Sequence, residues 1–237
     1  MKLNKLASLL SITATALLLG APLAQAVPFT IDAQLTGDPR PDNPDNLIVD
    51  VTITGNTTSS QTFWTVDLNS TAHPTIKLDA FFFNLAGSAG DYTFSNFSPS
   101  AWSISTPANN AQGSGGADFM FIANDPPPGP PVNVTNLVDL TFTATKSTGD
   151  WVVTDFTSAP LSSSNDTDLG SGQLGAHLQS LTTTDNCGTS TDCSDSGFAL
   201  GNYEEIRGGQ EIPEPMSLLL IGTGLLGFAA TRRRRLV

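Results

Sequence analysis

Basic side chains are scarce in this chain: 10 lysines and arginines stand against 22 aspartates and glutamates in 237 residues. Six of the 10 lie outside the segment Val27–Pro213, which keeps 4 basic and 21 acidic residues and therefore a net charge of about −17. A surface of this sign repels nucleic acid and anionic polysaccharide unless cations intervene. The sequence therefore excludes nucleic-acid binding.

Residues for catalysis are also few. The only histidines are His73 and His177, and the sequence contains no Gly-x-Ser-x-Gly, no His-Glu-x-x-His and no phosphate-binding glycine loop. Paired carboxylates for glycoside hydrolysis stay open, because 21 acids offer many pairs. Glutamate, the usual acid of such pairs, occurs in this segment only as Glu204, Glu205 and Glu211, close to its end. The sequence predicts that the protein is not an enzyme.

Alternating polar and apolar residues fill the segment from Val27 onward, and no helical pattern persists for three turns before Met216. Period-two alternation is typical of half-buried strands, and turn residues separate the runs as in a β-sandwich or jelly roll. We therefore predict an all-β fold. The predicted strands are Phe29–Thr36, Leu47–Thr54, Thr62–Leu68, Thr75–Leu85, Tyr92–Phe97, Trp102–Ile104, Asp118–Ala123, Val138–Thr145, Trp151–Phe156 and Gly175–Leu181.

Aromatic residues supply the predicted core. In the predicted strand that contains Phe81, Phe82 and Phe83, both faces are apolar, which indicates a strand covered on both sides or abutting a hairpin. The three tryptophans are predicted core residues as well. The alternative is that they are exposed and stack on sugar rings. They are Trp64, Trp102 and Trp151.

Two acidic loops are the candidate cation sites, because hard cations bind several oxygens of a flexible loop. Neither loop has the glutamate at position twelve that an EF-hand requires. The alternative, solvated acidic turns, needs no ligand, and we predict no cofactor, with calcium as the ligand to test. The loop residues are Asp38, Asp42, Asn43, Asp45 and Asn46 in the first loop, and Asp166, Asp168 and Gly170 in the second.

The N-terminus has the three parts of a secretory signal peptide. Lys2 and Lys5 precede the apolar stretch Leu6–Gly20, and Ala24-Gln25-Ala26 is a small-x-small cleavage site. We predict that residues 1–26 are removed on export. No cysteine lies near the cleavage site, which excludes a lipoprotein.

The C-terminus ends in an apolar run followed by four arginines. Met216–Thr231 has 16 residues, about 24 Å as a helix, and a hydrocarbon core is about 30 Å thick. The run spans a membrane if the arginines snorkel toward the headgroups and the bilayer thins. Such a cluster stays cytoplasmic, so the preceding chain lies on the far side. The cluster is Arg232, Arg233, Arg234 and Arg235.

Pro213, Glu214 and Pro215 directly precede this run. The triplet, the apolar run and the arginines together resemble the PEP-CTERM sorting signal of Gram-negative bacteria that make exopolysaccharide. The resemblance implies that a membrane transpeptidase, exosortase, recognises the triplet and cleaves near it. It implies also that the precursor is held in the membrane until then. Such a signal determines destination and carries no activity.

The two cysteines, Cys187 and Cys193, close a short loop. In a chain bound for an oxidising compartment a disulfide is the default expectation. In the chain-entropy picture a loop of this length contributes about 2 kcal/mol of stability. Metal binding by the pair is the alternative, which neither a Cys-x-x-Cys spacing nor nearby histidines support.

A second, weaker resemblance concerns Ala176-His177-Leu178-Gln179 and, after the cysteine loop, Ser196-Gly197-Phe198. The pattern is similar to the end of some PEP-CTERM ectodomains, and no activity comes with it. We expect a last core strand in which His177 points at a carbonyl or at solvent, and then a turn that the disulfide braces.

Four regions follow: a signal peptide at 1–26, an all-β ectodomain at 27–200, a linker at 201–212 and the sorting signal at 213–237. The sequence predicts an exported cell-surface or extracellular-matrix protein with a structural or adhesive role in exopolysaccharide. A carbohydrate-binding module is the alternative, and a secreted glycoside hydrolase is the third. The expected partners are exosortase, the membrane before processing, and exopolysaccharide.

Overall fold

The computed structural model describes residues 25–37, 46–108, 118–124, 133–163, 170–182 and 195–206. From Ala26 onward, the described residues belong to one compact unit, Ala26–Gly208. About 55% of the structure is strand and almost none is helix, which confirms the all-β prediction. No helix within the described ranges has the length and apolar character needed to cross a bilayer. The predicted spanning segment and the signal peptide lie outside those ranges, apart from Gln25 and Ala26.

Fourteen strands are present in the described residues. They are β1 (Pro28–Thr36), β2 (Ile48–Asn56), β3 (Gln61–Leu68), β4 (Lys77–Phe83), β5 (Tyr92–Ser98), β6 (Ser103–Ser105), β7 (Phe121–Asn124), β8 (Val134–Thr135), β9 (Leu140–Lys146), β10 (Ser162–Ser163), β11 (Ser171–Gly172), β12 (Leu174–Gln179), β13 (Ser196–Gly201) and β14 (Glu204–Ile206). Five of them, β8, β10, β11, β13 and β14, are not among the predicted strands.

Twelve strands form a single antiparallel sheet in the order β5-β9-β3-β2-β1-β13-β12-β4-β7-β6, with β14 beside β1 and β8 beside β4. The two end strands, β5 and β6, contact each other, so the sheet is nearly closed. Opposite parts of its inner face therefore pack against each other and enclose one core. β10 and β11 pair separately.

The centre of this core is aromatic. The Trp64 ring on β3 lies 5.0 Å from that of Phe83 on β4 and 5.2 Å from that of Phe142 on β9. The indole N–H of Trp64 donates to Thr62 Oγ1 at 3.1 Å, so the buried ring leaves no polar group unpaired. Alternation along the strands buries every second residue, as the sequence predicted.

β4 is covered on both faces, as the sequence predicted. Phe81 and Phe83 enter the main core, whereas Phe82 packs with Phe119 and Phe198 in a second cluster on the opposite face. The ring centroid of Phe82 lies 5.7 Å from that of Phe119 and 5.6 Å from that of Phe198. The apolar run thus indicated correctly that β4 is not half-exposed.

The predicted strand Trp151–Phe156 is wrong. The segment contains a helical turn, α1 (Thr154–Thr157). Asp155 Oδ2 accepts from the Val152 N–H at 2.9 Å and from Lys146 Nζ at 2.8 Å, which closes the turn. The rings of Trp151 and Phe156 stack at 5.1 Å, and both are buried. In a strand, residues five positions apart point to opposite faces of the sheet. Two rings at this spacing that stack on each other therefore fit a turn and not a strand.

The chain from Ser196 onward is more regular than predicted. β13 pairs with β12 over six residues, so Phe198 lies opposite His177 and does not belong to a turn. β14 pairs with β1 inside the segment that the sequence placed in the linker. A Cβ on Gly201 would lie 2.7 Å from the Gln34 carbonyl oxygen, so only glycine allows β13 to approach β1 this closely.

A buried polar network fixes this end of the domain. Asn84 Nδ2 donates to the Pro160 carbonyl at 2.8 Å, and the backbone carbonyl of Asn84 accepts from the Tyr203 hydroxyl at 2.8 Å. Gln173 Oε1 accepts from the Tyr203 N–H at 3.0 Å, and its Nε2 donates to the Ala159 carbonyl at 2.8 Å. Burial raises the pKa of Tyr203 well above its usual value. The network ties Tyr203 to the core.

Candidate functional site

Acidic side chains meet on the outer surface of β1, β2 and β3. Asp50 on β2 lies directly opposite Asp67 on β3, and Gln34 on β1 lies opposite Asp50 from the other side. Asp139, the residue before β9, interacts with Asp67. We call Asp50, Asp67 and Asp139 the acidic row. Two neutral amides contact it: Gln34 Nε2 lies 3.0 Å from Asp50 Oδ1, and Asn69 Nδ2 lies 3.1 Å from Asp50 Oδ2.

A groove of about 330 Å³ continues from the acidic row across β1. Asp32, Asp50 and Glu204 line it, and Asp32 lies opposite Glu204 in the β1–β14 pair. Asp32 Oδ1 is buried and has no hydrogen-bond partner among the described residues. Like charges directly opposite one another destabilise a sheet. The groove is therefore electronegative and attracts cations from solution.

Burial raises the pKa of Asp67 above its usual value, and the charges of Asp139 and Asp50 and a hydrogen bond with Asp139 raise it further. The folded state consequently holds this proton more tightly than the unfolded chain. The stability that this tighter proton binding contributes is fully present below the pKa of Asp67 in the unfolded state. It is lost as the pH rises through the pKa of Asp67 in the folded state. At neutral pH the ionised Asp67 therefore destabilises the fold.

We expect Asp67→Asn to stabilise the protein by about 0.5 kcal/mol at pH 7, because it removes one of two facing charges and supplies an N–H donor toward Asp139. The gain should shrink as the pH falls to about 3, below the pKa of an unfolded aspartate, where Asp67 is mostly protonated in both states. Urea unfolding at both pH values measures the effect. Asp150→Asn, an exposed turn residue, is the matched control with the same change in net charge. Equal gains in the two variants would contradict the assignment.

The two histidines have different environments. His73 is buried, and its Nδ1 accepts from the Thr182 N–H at 3.1 Å. His177 Nδ1 lies 2.8 Å from Asp79 Oδ2, and both side chains are partly exposed. The expectation that His177 points at a carbonyl or at solvent is thus only partly right, because a carboxylate partners it. The register between β12 and β4 shifts here: His177 pairs with Ala80 and Leu178 with Leu78, which leaves Asp79 as the extra residue of a bulge.

All three tryptophans are buried. Trp64, Trp102 and Trp151 are 1%, 3% and 0% exposed, which confirms the core prediction and rules out sugar stacking on these rings. The exposed aromatic ring among the described residues is Phe63 on β3, at 60%. Sequence reasoning did not single out this residue.

The remaining predicted sites lie mostly outside the described residues. These are the sorting triplet Pro213, Glu214 and Pro215, the cluster Arg232, Arg233, Arg234 and Arg235, the cysteines Cys187 and Cys193, and the acidic-loop residues apart from Asn46 and Gly170. Asn46 and Gly170 both have positive φ, 61° and 75°. In the part of the chain that the structure describes, no three acidic, histidine or cysteine side chains are placed as metal ligands.

In a comparison with known families, residues 211–235 match the PEP-CTERM protein-sorting motif. The matched segment includes the Pro-Glu-Pro triplet and the four arginines, so the resemblance stated from the sequence is confirmed. No curated protein and no solved structure matches the chain. The motif indicates an exported protein that exosortase sorts to the cell surface or the extracellular space.

Proposed function

We propose that this protein has a structural or adhesive role in an exopolysaccharide matrix, and that it acts by binding and not by turnover. The observation that carries the proposal is the sorting motif at residues 211–235 behind an all-β domain. Its acidic surface, with the acidic row and the groove beside it, supports attachment through bridging cations.

The precursor in this proposal is anchored in the membrane. Residues 1–26 direct export and are removed, and Met216–Thr231 spans the bilayer with Arg232–Arg235 on the cytoplasmic side. The acidic domain is then presented on the outer side until exosortase cleaves near the Pro-Glu-Pro triplet. The short apolar run supports temporary anchoring, because about 24 Å matches the bilayer poorly.

Two features of the domain belong to the same proposal. The nearly closed sheet is a β-sandwich, which is supported by the ring contacts between Trp64 on β3 and Phe83 on β4 across the core.

Cys187 and Cys193 form a disulfide, and the export signals support this because they direct the chain to an oxidising compartment. Alkylation of the denatured exported protein should then add no mass, and the addition of two labels would contradict the disulfide.

The absence of enzymatic activity is supported by the roles of the two histidines. His73 is enclosed in the core, and His177 is paired with Asp79 at a bulge. A carbohydrate-binding module remains the alternative function, although the tryptophans that first suggested it are buried. A glycoside hydrolase is the third, and the facing carboxylates of the acidic row are the groups to test for it.

We expect attachment of the exported protein to the matrix polysaccharide to depend on divalent cations, because a net charge of about −17 on Val27–Pro213 repels anionic chains. Exchanging millimolar calcium for a chelator should release the protein from isolated matrix at low ionic strength. Co-sedimentation measures the release, and a reducing-sugar assay on the same sample measures hydrolysis.

Two outcomes would contradict this account separately. If a chelator leaves attachment unchanged, cation bridging is contradicted. If the wild-type protein releases reducing sugar, the non-enzymatic role is contradicted. The Asp67→Asn variant then tests whether the acidic row supplies the catalytic acid of the hydrolysis.

A further inference from the structure

The outer surface of β2, β3, β9 and β5 carries uncharged polar side chains around one exposed phenyl ring. We call this surface the hydroxyl face. Inward neighbours such as Ile53, Trp64 and Phe142 are buried, which fixes the outward direction of the alternate residues. The hydroxyl face consists of Thr52, Thr54, Gln61, Phe63, Thr65, Thr93, Ser95, Thr141, Thr143 and Thr145.

Strand pairing places Phe63 at the centre of this face. Thr54 on β2 and Thr143 on β9 lie directly opposite Phe63 on its two sides. Gln61 and Thr65 are its neighbours along β3, two residues before and after it. The ring is 60% exposed and therefore offers one apolar surface framed by polar groups.

The hydroxyl groups on this face are rigid and available. Threonine is restricted at χ1, and a sheet holds its backbone, so a ligand that binds here orders few bonds. Thr52 and Thr54 are exposed, and within the described residues neither hydroxyl is engaged in a hydrogen bond. Thr143 is the buried exception, and its Oγ1 accepts from Asn96 Nδ2 at 3.3 Å.

Charge determines which ligand fits this face. None of the 10 residues of the hydroxyl face is ionisable, whereas the acidic row begins two residues beyond Thr52 and Thr65, at Asp50 and Asp67. An anionic polysaccharide that covers the face would come within a Debye length of about 8 Å of those carboxylates at the Thr52 and Thr65 row and be repelled there. A cationic ligand would find its counter-charge at the acidic row and not here. An uncharged, hydroxyl-rich ligand meets neither obstacle.

Size argues against a second copy of this chain as the ligand. Three rows at about 6.8 Å and four strands at about 4.8 Å give a face of about 14 Å by 14 Å. That area, on the order of 200 Å², is well below the roughly 800 Å² per partner of a stable protein interface. A few sugar units of a chain fit it.

We propose that the hydroxyl face binds neutral polysaccharide, with Phe63 stacking on the apolar face of one sugar ring and the threonine hydroxyls exchanging hydrogen bonds with the neighbouring units. This inference rests on the proposed matrix role and adds to cation bridging a second contact, which needs no cation, with uncharged chains of the same matrix. Binding at one face is weak, and many copies along one polysaccharide chain strengthen it through avidity.

Affinity electrophoresis of the exported protein tests the proposal, in native gels that contain hydroxyethyl cellulose, dextran or alginate. At least one of the two neutral polymers should retard the wild-type protein, with or without chelator. Phe63→Ala should weaken that retardation about tenfold, Phe63→Tyr should restore it, and Leu137→Ala should leave it unchanged. Leu137 is the matched control because it is 93% exposed and lies in a turn outside the face.

Four results would overturn the proposal. They are equal retardation of the wild type and Phe63→Ala, retardation by alginate alone, no retardation by either neutral polymer, and self-association that Phe63→Ala abolishes. Matrix co-sedimentation of the wild-type protein keeps the two proposals apart. If the protein co-sediments with the matrix but neutral polymer does not retard it, only the binding site on the hydroxyl face is contradicted. If the protein does not co-sediment with the matrix, the proposed function is contradicted.

Discussion

Replacing Trp64 by alanine should lower the free energy of unfolding by about 3–5 kcal/mol, the range for large-to-small substitutions of buried aromatic residues. The Trp64 ring is 1% exposed and contacts Phe83, Phe142 and Phe156, so its removal opens a cavity at the centre of the core. It also leaves the Thr62 hydroxyl, 0% exposed, without the donor that now pairs with it.

Chemical unfolding of the exported protein followed by circular dichroism measures this loss. The control is Phe63→Ala at the preceding residue, which removes an aromatic ring from the outer face of the same strand. We expect that variant to change stability by no more than about 0.5 kcal/mol, as is usual for surface substitutions. Equal losses in the two variants would contradict the inward and outward assignment of β3 and with it the hydroxyl face.

Replacing Glu214 by alanine should stop processing at the C-terminus. A site that forms hydrogen bonds to a charged group discriminates strongly against a substrate without it, so we expect a fall of roughly a hundredfold in the rate of processing. The unprocessed protein should then accumulate in the membrane fraction with its arginine cluster intact. Pulse labelling followed by immunoblotting of membrane and extracellular fractions measures the change.

Glu211→Ala is the matched control for that experiment, since it removes an acid three residues upstream, outside the Pro-Glu-Pro triplet. Processing of this variant should proceed at the wild-type rate. Normal processing of Glu214→Ala would show that the triplet is not the recognition element in this chain.

The strands with regular alternation could be predicted from the sequence. β1, β2 and β3 each bury alternate residues along most of their length, β9 does so apart from the buried Thr143, and the amino-acid sequence shows the same period. The face of β4 that packs on the second cluster was predicted too, because a continuous apolar run has no polar side. In these cases the pattern of polar and apolar residues within one strand was sufficient, because that pattern alone determines which faces of the strand are buried.

Other elements depend on partners outside their own segment and could not be predicted. Trp151 and Phe156 have the composition of a strand, yet the Asp155 carboxylate closes a turn through Lys146, nine residues away. β14 contains charged residues and reads as a linker, and only its pairing with β1 makes it a strand. Tertiary contacts override local preference in both.

The acidic row and the hydroxyl face were missed for the same reason. Asp50, Asp67 and Asp139 lie far apart in the sequence, and no spacing rule connects them. A signal was present in the threonines that alternate with apolar residues in β2 and β9, but it is equally typical of any solvated sheet face. Strand order and register were needed to place Phe63 between Thr54 and Thr143. The sorting signal, by contrast, was readable because all its parts are contiguous.

The intact mass of the mature protein, recovered from the producing cells, tests the central claim most directly. Processing at both ends predicts a species that lacks Met1–Ala26 and the segment from about Met216 onward, so its C-terminus lies close to Pro213-Glu214-Pro215. A mature species that still carries Arg232–Arg235 would contradict sorting by exosortase and leave this segment as a membrane anchor only.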